Sequence, residues 1–401
     1  MTHFFVIGIP DSINYIKENL ELMQIIRSFR CFSGGKRHHE LLKELLPEDT
    51  EWIEIKTPLD EVFKQYDYYE YVVVFASGDP FFYVFGSTIL KKRPNADIAV
   101  FPAFNSLQDL SHRLQLSYED MHMVSLIGRP WHELDRALIE NKEKIGILTD
   151  HVHTPAAIAM RLLKYNFTHY KMCIGQHLGN PEKEVVSCDL ALSEVEEHPI
   201  DSPNCVILKR MYNDVNYRPL GIPDKMFEHL DGRERMITKA PIRVLDMSML
   251  MLPMCNHFWD IGFCTGSVSI EAKRQFPHLH IHAFEKRKEC WKLMEANSSR
   301  LGTPGIDVHI CDFLEEDISD LPALDAVFIG GHGGKLKEIM QKVARHLAPD
   351  GLVVFNSVSE ESKMLFEESV LEAGLELADS LDVSIGDYNP ICIMKAVKEA
   401  K

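Results

Sequence analysis

The sequence has no excess of positive charge. Its 401 residues carry 43 Lys and Arg against 60 Asp and Glu, a formal charge of −17. A phosphate-backbone partner needs the opposite field, so nucleic acid is excluded as an expectation, while a small anionic substrate needs only a local basic pocket. Long apolar runs are also missing. The longest, VLDMSMLMLPMC at 244–255, contains an aspartate and a proline and is too short to cross a bilayer. No membrane partner is expected. The nine cysteines never occur as C-x-x-C, and single thiols in odd number suit a reducing compartment with free buried cysteines. The N-terminal MTHFFVIGIPDS has no basic leader segment and enters a strand pattern directly. A cytoplasmic protein is expected.

What is present is enough for two cores. A chain of this length with 45% hydrophobic residues predicts two domains of roughly 200 residues each. In the first half, FFVIGI (4–9), YVVVFA (71–76), IAVFPA (98–103), MVSLIG (123–128), KIGILT (144–149) and NCVILKR (204–210) alternate with helical spacing. That alternation predicts an α/β domain with a largely parallel sheet. A turn-rich segment follows at 211–232, and a second α/β series starts at FWDIG (258–262). It continues through HIHAFE (280–285), VHICD (308–312), DAVFIGG (325–331) and GLVVFNS (351–357). The expected boundary lies between residues 212 and 213.

The turn in FWDIGFCTGSVSIEA joins a strand to a helix with glycines only at Gly262 and Gly266. A dinucleotide loop wants G-x-G-x-x-G so that backbone amides close on a pyrophosphate. Cys264 stands where the middle glycine belongs. Asp260 precedes the turn, Glu285 ends the next strand at the ribose-binding place, and Asp312 ends the third. Three acids around one crevice suit a cationic ligand with an amine and a ribose but no phosphates. S-adenosylmethionine fits that description, with Asp260 expected near its amino group, Glu285 on the ribose and Asp312 near the adenine. A ligand-free structural turn and an NAD site are the rivals.

MITKAPIR (236–243), WDIGFCTGSVSIEA (259–272), AFEKRKEC (283–290) and DAVFIGGHGG (325–334) resemble the decarboxylating methyltransferase module of cobalamin biosynthesis. The resemblance implies a Rossmann-like fold and cofactor contacts at Thr238, Gly262, Phe263, Cys264, Thr265, Gly266, Glu285, Asp312 and Phe313. Phe263, Cys264, Pro241 and His332 depart from the family pattern, and His332 is placed on the substrate side. In the first half, GGKRHHELL (34–42), VVFASGDPFFYVFGSTIL (73–90), VFPAFNSLQDLSHRLQL (100–116) and LTDHVHTPAAIA (148–159) resemble the tetrapyrrole methylases. These hold the methyl donor in a cleft between two α/β lobes. The implied contacts are Gly8, Ser77, Gly78, Asp79 and Pro80, with Pro10 departing from a usual glycine; Asn105 and Ser106, after VFPAF, are either further contacts or the cap of a helix.

Both halves, in this order, resemble the fused decarboxylating precorrin methyltransferases. That implies methylation of a precorrin at C5 by the first half, and at C15 by the second with loss of the ring-C acetate carboxyl. One S-adenosylmethionine per domain is implied, as is a homo-oligomer through the second half. The runners-up are a cobalt-loaded substrate, an RNA or protein methyltransferase, and a non-enzymatic cofactor-binding scaffold. The substrate's many carboxylates need basic residues at the mouths; the candidates are Arg37, Arg233, Arg235, Lys239 and Arg243. No general base is assigned. No metal is expected: HLHIH (278–282) puts three histidines on one strand face and reads as a solvated surface.

Overall fold

Short apolar runs bounded by turns form strands that are buried on both faces where helices cover the sheet. The computed structural model describes residues 2–212, 220–233, 235–386 and 389–399. The described residues of 1–129, 143–160 and 170–211 make one compact unit; those of 130–142, 161–169 and 212–401 make a second.

The first unit contains two sheets. One joins β1 (His3–Ile9), β2 (Cys31–Gly34), β3 (Glu51–Glu54), β4 (Tyr71–Ser77) and β5 (Asp97–Phe101) in the order β3-β2-β4-β1-β5. Every pairing in it is parallel, and its core is chiefly apolar, as at Val6, Val72, Val74 and Phe75. The other joins β6 (His122–Ser125), β7 (Lys144–Leu148), β8 (Tyr170–Gln176), β9 (Val185–Leu190) and β10 (Asn204–Arg210) in the order β6-β7-β10-β8-β9. Here the expectation of a largely parallel sheet fails. β10 lies antiparallel between β7 and β8, and β9 pairs antiparallel with β8, leaving β6–β7 as the parallel pair. Only residues 177–184 separate β8 from β9, too few for a crossover helix, so the two strands pair antiparallel. Cys173 of β8 and Cys188 of β9 form a disulfide across this ladder, so two of the nine cysteines expected to be free are not.

In the second unit β11 (His257–Ile261), β12 (His280–Glu285), β13 (Ile306–Ile310), β14 (Leu324–Ile329) and β15 (Leu347–Ser357) are parallel neighbours. β16 (Glu376–Val383) and β17 (Ile391–Val397) complete the order β13-β12-β11-β14-β15-β17-β16 with antiparallel pairings. The strand order reverses at β11, and the crevice outside the carboxyl ends of such strands is where ligands bind in open α/β sheets. The HLHIH face is not solvated as expected. His280 stacks on His257 with ring centroids 5.2 Å apart, and His282 Nδ1 lies 3.1 Å from His309 Nε2. None of the described helices is long and apolar enough to cross a membrane.

Candidate active sites

In the first unit a cavity of about 790 Å³ opens at the carboxyl ends of β1 and β4. Gly78 ends the β4 turn with φ +62°, and a Cβ there would stand 2.6 Å from Asn105 Cα. A Cβ on Gly8 would in turn collide with the Gly78 carbonyl. Two glycines therefore let strand end, loop and helix start stack backbone to backbone. Of the predicted contacts, Ser77, Gly78, Asn105, Ser106 and Arg37 line the cavity, whereas Gly8, Asp79 and Pro80 do not. Asp79 Oδ1 accepts from the Phe81 amide at 2.8 Å, closing its own turn. Asn105 caps the helix Ser106–Leu114, its Oδ1 accepting from the Leu107 and Gln108 amides at 3.0 Å.

Arg37 does meet a carboxylate, but it is the protein's own: Nη1 lies 2.5 Å from Asp11 Oδ1. Its Nη2 donates to Ser77 Oγ at 3.0 Å. His177 Nδ1 reaches the other Asp11 oxygen at 2.9 Å, and His38 Nε2 lies 3.0 Å from Ser77 Oγ. Burial, helped by the Arg37 charge, pushes His38 down to about 4, so its ring is neutral at pH 7. Asp11, His38 and His177 were not singled out from the sequence. Asp11 follows β1 in IPDS, and a polar residue just past an apolar strand was the available signal.

In the second unit the Gly262–Gly266 turn is built differently. Gly262 has φ +80°, and a Cβ there would lie 2.6 Å from the Gly331 amide, so the loops after β11 and β14 touch by backbone alone. Gly266 (φ +75°) packs on the Met294 sulfur rather than lining a cavity. Cys264 holds φ +49°. Its amide donates to Glu285 Oε2 at 3.1 Å and its thiol to the Met236 carbonyl at 3.5 Å.

Two cavities, about 1040 and 1660 Å³, share Met236, Gly262, Arg287 and Gly331. Glu285, Asp312, Phe313 and His332 line the smaller. Thr238, Asp260, Phe263, Cys264, Thr265 and Asn356 line the larger. Asp260 is 1% exposed; its Oδ2 accepts from Ser269 N at 3.1 Å and Oγ at 2.5 Å, while Oδ1 has no partner. Burial raises this carboxyl to about 7 despite the Ser269 bonds. Thr265 Oγ1 and Asn356 Oδ1 are likewise buried without partners. Asn356 Nδ2 donates at 3.0 Å to Asp246 Oδ2, whose carboxyl burial pushes up to about 8.

Three freely available acids were expected, and the structure keeps one. Asp312 is held below the usual carboxylate range chiefly by Lys286, whose Nζ is 2.9 Å away, and the Leu314 amide also binds it. Glu285 is saturated by donors from its own loop and from Arg287. Among the basic candidates, Lys239 and Arg235 line the larger cavity, and Lys239 Nζ stands 3.7 Å from Asp224. Arg233 is exposed and lines neither cavity. Arg243 is fully buried, bonded to Glu271 Oε2 at 2.8 Å, Asp224 Oδ1 at 2.9 Å and the carbonyls of Thr238 and Ile222. It pins the entry segment and is out of a substrate's reach. Arg287 and Asn356 were missed; each stands at a strand end, where polar residues carry the signal.

Residues 225–400 match the family described as a precorrin methyltransferase domain, and residues 19–193 match the tetrapyrrole (corrin/porphyrin) methylases. A precorrin-6Y C(5,15)-methyltransferase [decarboxylating] from Sinorhizobium sp is 29% identical over 388 residues, 95% of this chain and 90% of that one. A cobalt-precorrin-6B C(15)-methyltransferase (decarboxylating) from Salmonella typhi is 31% identical over 188 residues, 44% of this chain and 95% of the relative. The chain belongs to the decarboxylating precorrin methyltransferases. A crystal structure of precorrin-6Y C5,15-methyltransferase from Geobacter metallireducens GS-15 covers 45% of this chain and 98% of its own, with 30% identity and a TM-score of 0.41. Within this methyltransferase family the Sinorhizobium relative shares both halves, while the Salmonella relative matches 44% of the chain.

Proposed function

We propose that this methyltransferase acts on a precorrin, methylating C5 with residues 1–212 and C15 with residues 213–401, the latter with loss of the ring-C acetate carboxyl. Each half would take one S-adenosylmethionine. The observation that carries the reading is the pair of unpartnered buried atoms, Asp260 Oδ1 and Thr265 Oγ1, on the wall of the larger cavity in the second unit. A buried polar atom without a partner costs on the order of 1–3 kcal/mol, and a ligand ammonium at Asp260 removes that cost. Glu285, at the end of the next strand, is the ribose acid of this arrangement.

When bound, the cofactor supplies an electrophilic sulfonium methyl. The chain's part is placement. Gly262 and Gly331 let the two loops close without side chains between them, which keeps the junction of the cavities open for in-line approach of a ring carbon. An ammonium beside Asp260 favours its ionised form, reversing the effect of burial. Arg235 and Lys239 offer positive charge on the side where carboxylates of the macrocycle enter. In the first half, the cavity walls of Ser77, Gly78 and Ser106 offer mainly backbone and hydroxyl groups to the donor. Decarboxylation draws on the ring's own conjugation as electron sink. A cytoplasmic location and assembly through residues 213–401 complete the proposal, resting on composition and on the family resemblance.

Titration calorimetry of the intact chain with S-adenosylhomocysteine tests the reading. Two molecules bound per chain are expected. One molecule removes the site whose variant in the intact chain, Gly78→Ala for the first half or Glu285→Ala for the second, leaves the binding unchanged.

A further inference from the structure

Glu285 receives more hydrogen bonds than a carboxylate has lone pairs. Oε1 accepts from the Lys286 amide at 2.8 Å, the Arg287 amide at 3.0 Å and Arg287 Nε at 3.0 Å. Oε2 accepts from the Cys264 amide at 3.1 Å and Arg287 Nη2 at 2.7 Å. Two carboxylate oxygens offer about four lone-pair sites, so no room is left for a further donor. Three of the five donors are amides fixed by the turns after β11 and β12. The other two belong to one side chain, Arg287, which is 30% exposed. Only Arg287 can leave without unravelling a loop.

Its surroundings show where it can go. Arg287 lines both cavities, and its Nη1 reaches the Met236 sulfur at 2.8 Å, across the place where they meet. On the larger cavity, Asp260 is the one acid among the described lining residues, and Arg235 and Lys239 add positive charge. On that wall a guanidinium released from Glu285 meets one internal carboxylate, Asp260, whose free Oδ1 the cofactor's ammonium takes on the reading above. A planar, bidentate fork in that position is suited to an incoming carboxylate.

We propose that Arg287 is a carboxylate-binding residue of the second site, released by the cofactor: ribose hydroxyls take its place on Glu285, and its guanidinium then binds a carboxylate of the macrocyclic substrate. The inference rests on the reading of Glu285 as the ribose acid. It makes cofactor and substrate binding mutually reinforcing, because each removes a competitor of the other, and the coupling must be equal in both directions. A coupling of about tenfold is expected, within the usual range for linked sites.

The experiment is calorimetric titration of the full chain with S-adenosylhomocysteine, with and without cobyrinic acid, a corrin heptacarboxylate. The second site is identified as the one that Glu285→Ala abolishes. In the wild-type chain, cobyrinic acid should tighten that site about tenfold. Arg287→Gln should bind S-adenosylhomocysteine there at least as tightly as the wild type does without the corrin, and should gain nothing when the corrin is added. Arg287→Lys, which keeps the charge and loses the fork, should recover only part of the gain. The proposal is overturned if the wild type shows no gain, if the gain survives in Arg287→Gln, or if Arg287→Gln weakens S-adenosylhomocysteine in the absence of corrin. If Glu285→Ala abolishes no site, the ribose assignment falls, and the functional reading with it.

Discussion

In the first unit Asp79 and Asn105, both singled out by the sequence, are committed to the backbone; in the second, Asp260 and Thr265 keep part of their hydrogen-bonding capacity unused. Asp79 closes a turn and Asn105 caps a helix, so the first cleft is shaped by Gly8 and Gly78 and edged by an internal ion-pair network. Asp260 and Thr265 are just as local, yet each keeps a buried atom without a partner. The difference teaches how to read a strand-end acid. Within two or three residues of free amides it satisfies the chain, whereas Asp260, buried at the end of a strand ahead of the turn, keeps one oxygen without a partner. The same contrast separates Arg243, buried with four partners, from Arg287, whose bonds to Glu285 are exchangeable.

The comparison can be broken at several points. The largest effect is expected from Arg243→Ala, which leaves Glu271 buried with two backbone donors and no cation. Removing one partner of a buried pair costs about 3–5 kcal/mol, and chemical denaturation should show that loss. An unchanged midpoint would return Arg243 to the list of substrate contacts. Next is Gly78→Ala. Its φ of +62° and a Cβ placed 2.6 Å from Asn105 Cα predict a loss of roughly 2–4 kcal/mol. Titration should also show the first cofactor site lost while the Glu285-dependent site remains.

The pH dependence sharpens the contrast, because the two regions slope in opposite directions. Asp260 and Asp246 are raised to about 7 and about 8, so their folded forms hold protons that the unfolded chain has released above about pH 4. Their contribution is full at low pH and is lost as pH rises through 7 to 8. His38 is lowered to about 4 from an unfolded value near 6.5, so its contribution is present above 6.5 and is lost as pH falls through 4. Thermal melts of Asp260→Asn without ligand should therefore fall less between pH 5 and 8 than those of the wild type. An equal fall would remove the assignment of Asp260 as a buried, proton-holding acid. The smallest effect is expected at Cys264→Gly. Relief of φ +49° offsets the loss of a buried thiol, so stability should move by less than about 1 kcal/mol, with affinity at the Glu285-dependent site kept or improved. A tenfold loss of affinity there would mean that the thiol itself supports the site.

Much of this was legible in advance, for physical reasons that can be named. The runs at 71–76, 258–262 and 325–331 are apolar and bounded by turns, and all form buried strands. β2 and β3, four residues each, were too short to register, and β16 is exposed at seven of eight positions, as an edge strand is. The turn after β11 and the place of Glu285 at the end of β12 were legible because strand, turn and acid occur at fixed spacing. Arg243 was misread because its partners, Asp224 and Glu271, are 19 and 28 residues away, and no local pattern shows that they meet. Arg287 was missed inside the charged run EKRKEC, where one cation looks like its neighbours until Glu285 is seen to hold it. The Cys173–Cys188 pair, 15 residues apart, follows from an antiparallel pairing that the helix-strand alternation did not suggest.

The central claim is that one chain holds two separately built methyl-transfer sites, and Glu285→Ala tests it most directly. On the proposed function Glu285 serves only the second site, so the variant should still methylate at C5 while C15 methylation and decarboxylation are lost. Mass spectrometry of the precorrin product should then show one added methyl group and a retained carboxyl. A product with both methyl groups and without the carboxyl, formed at the wild-type rate, would contradict the account.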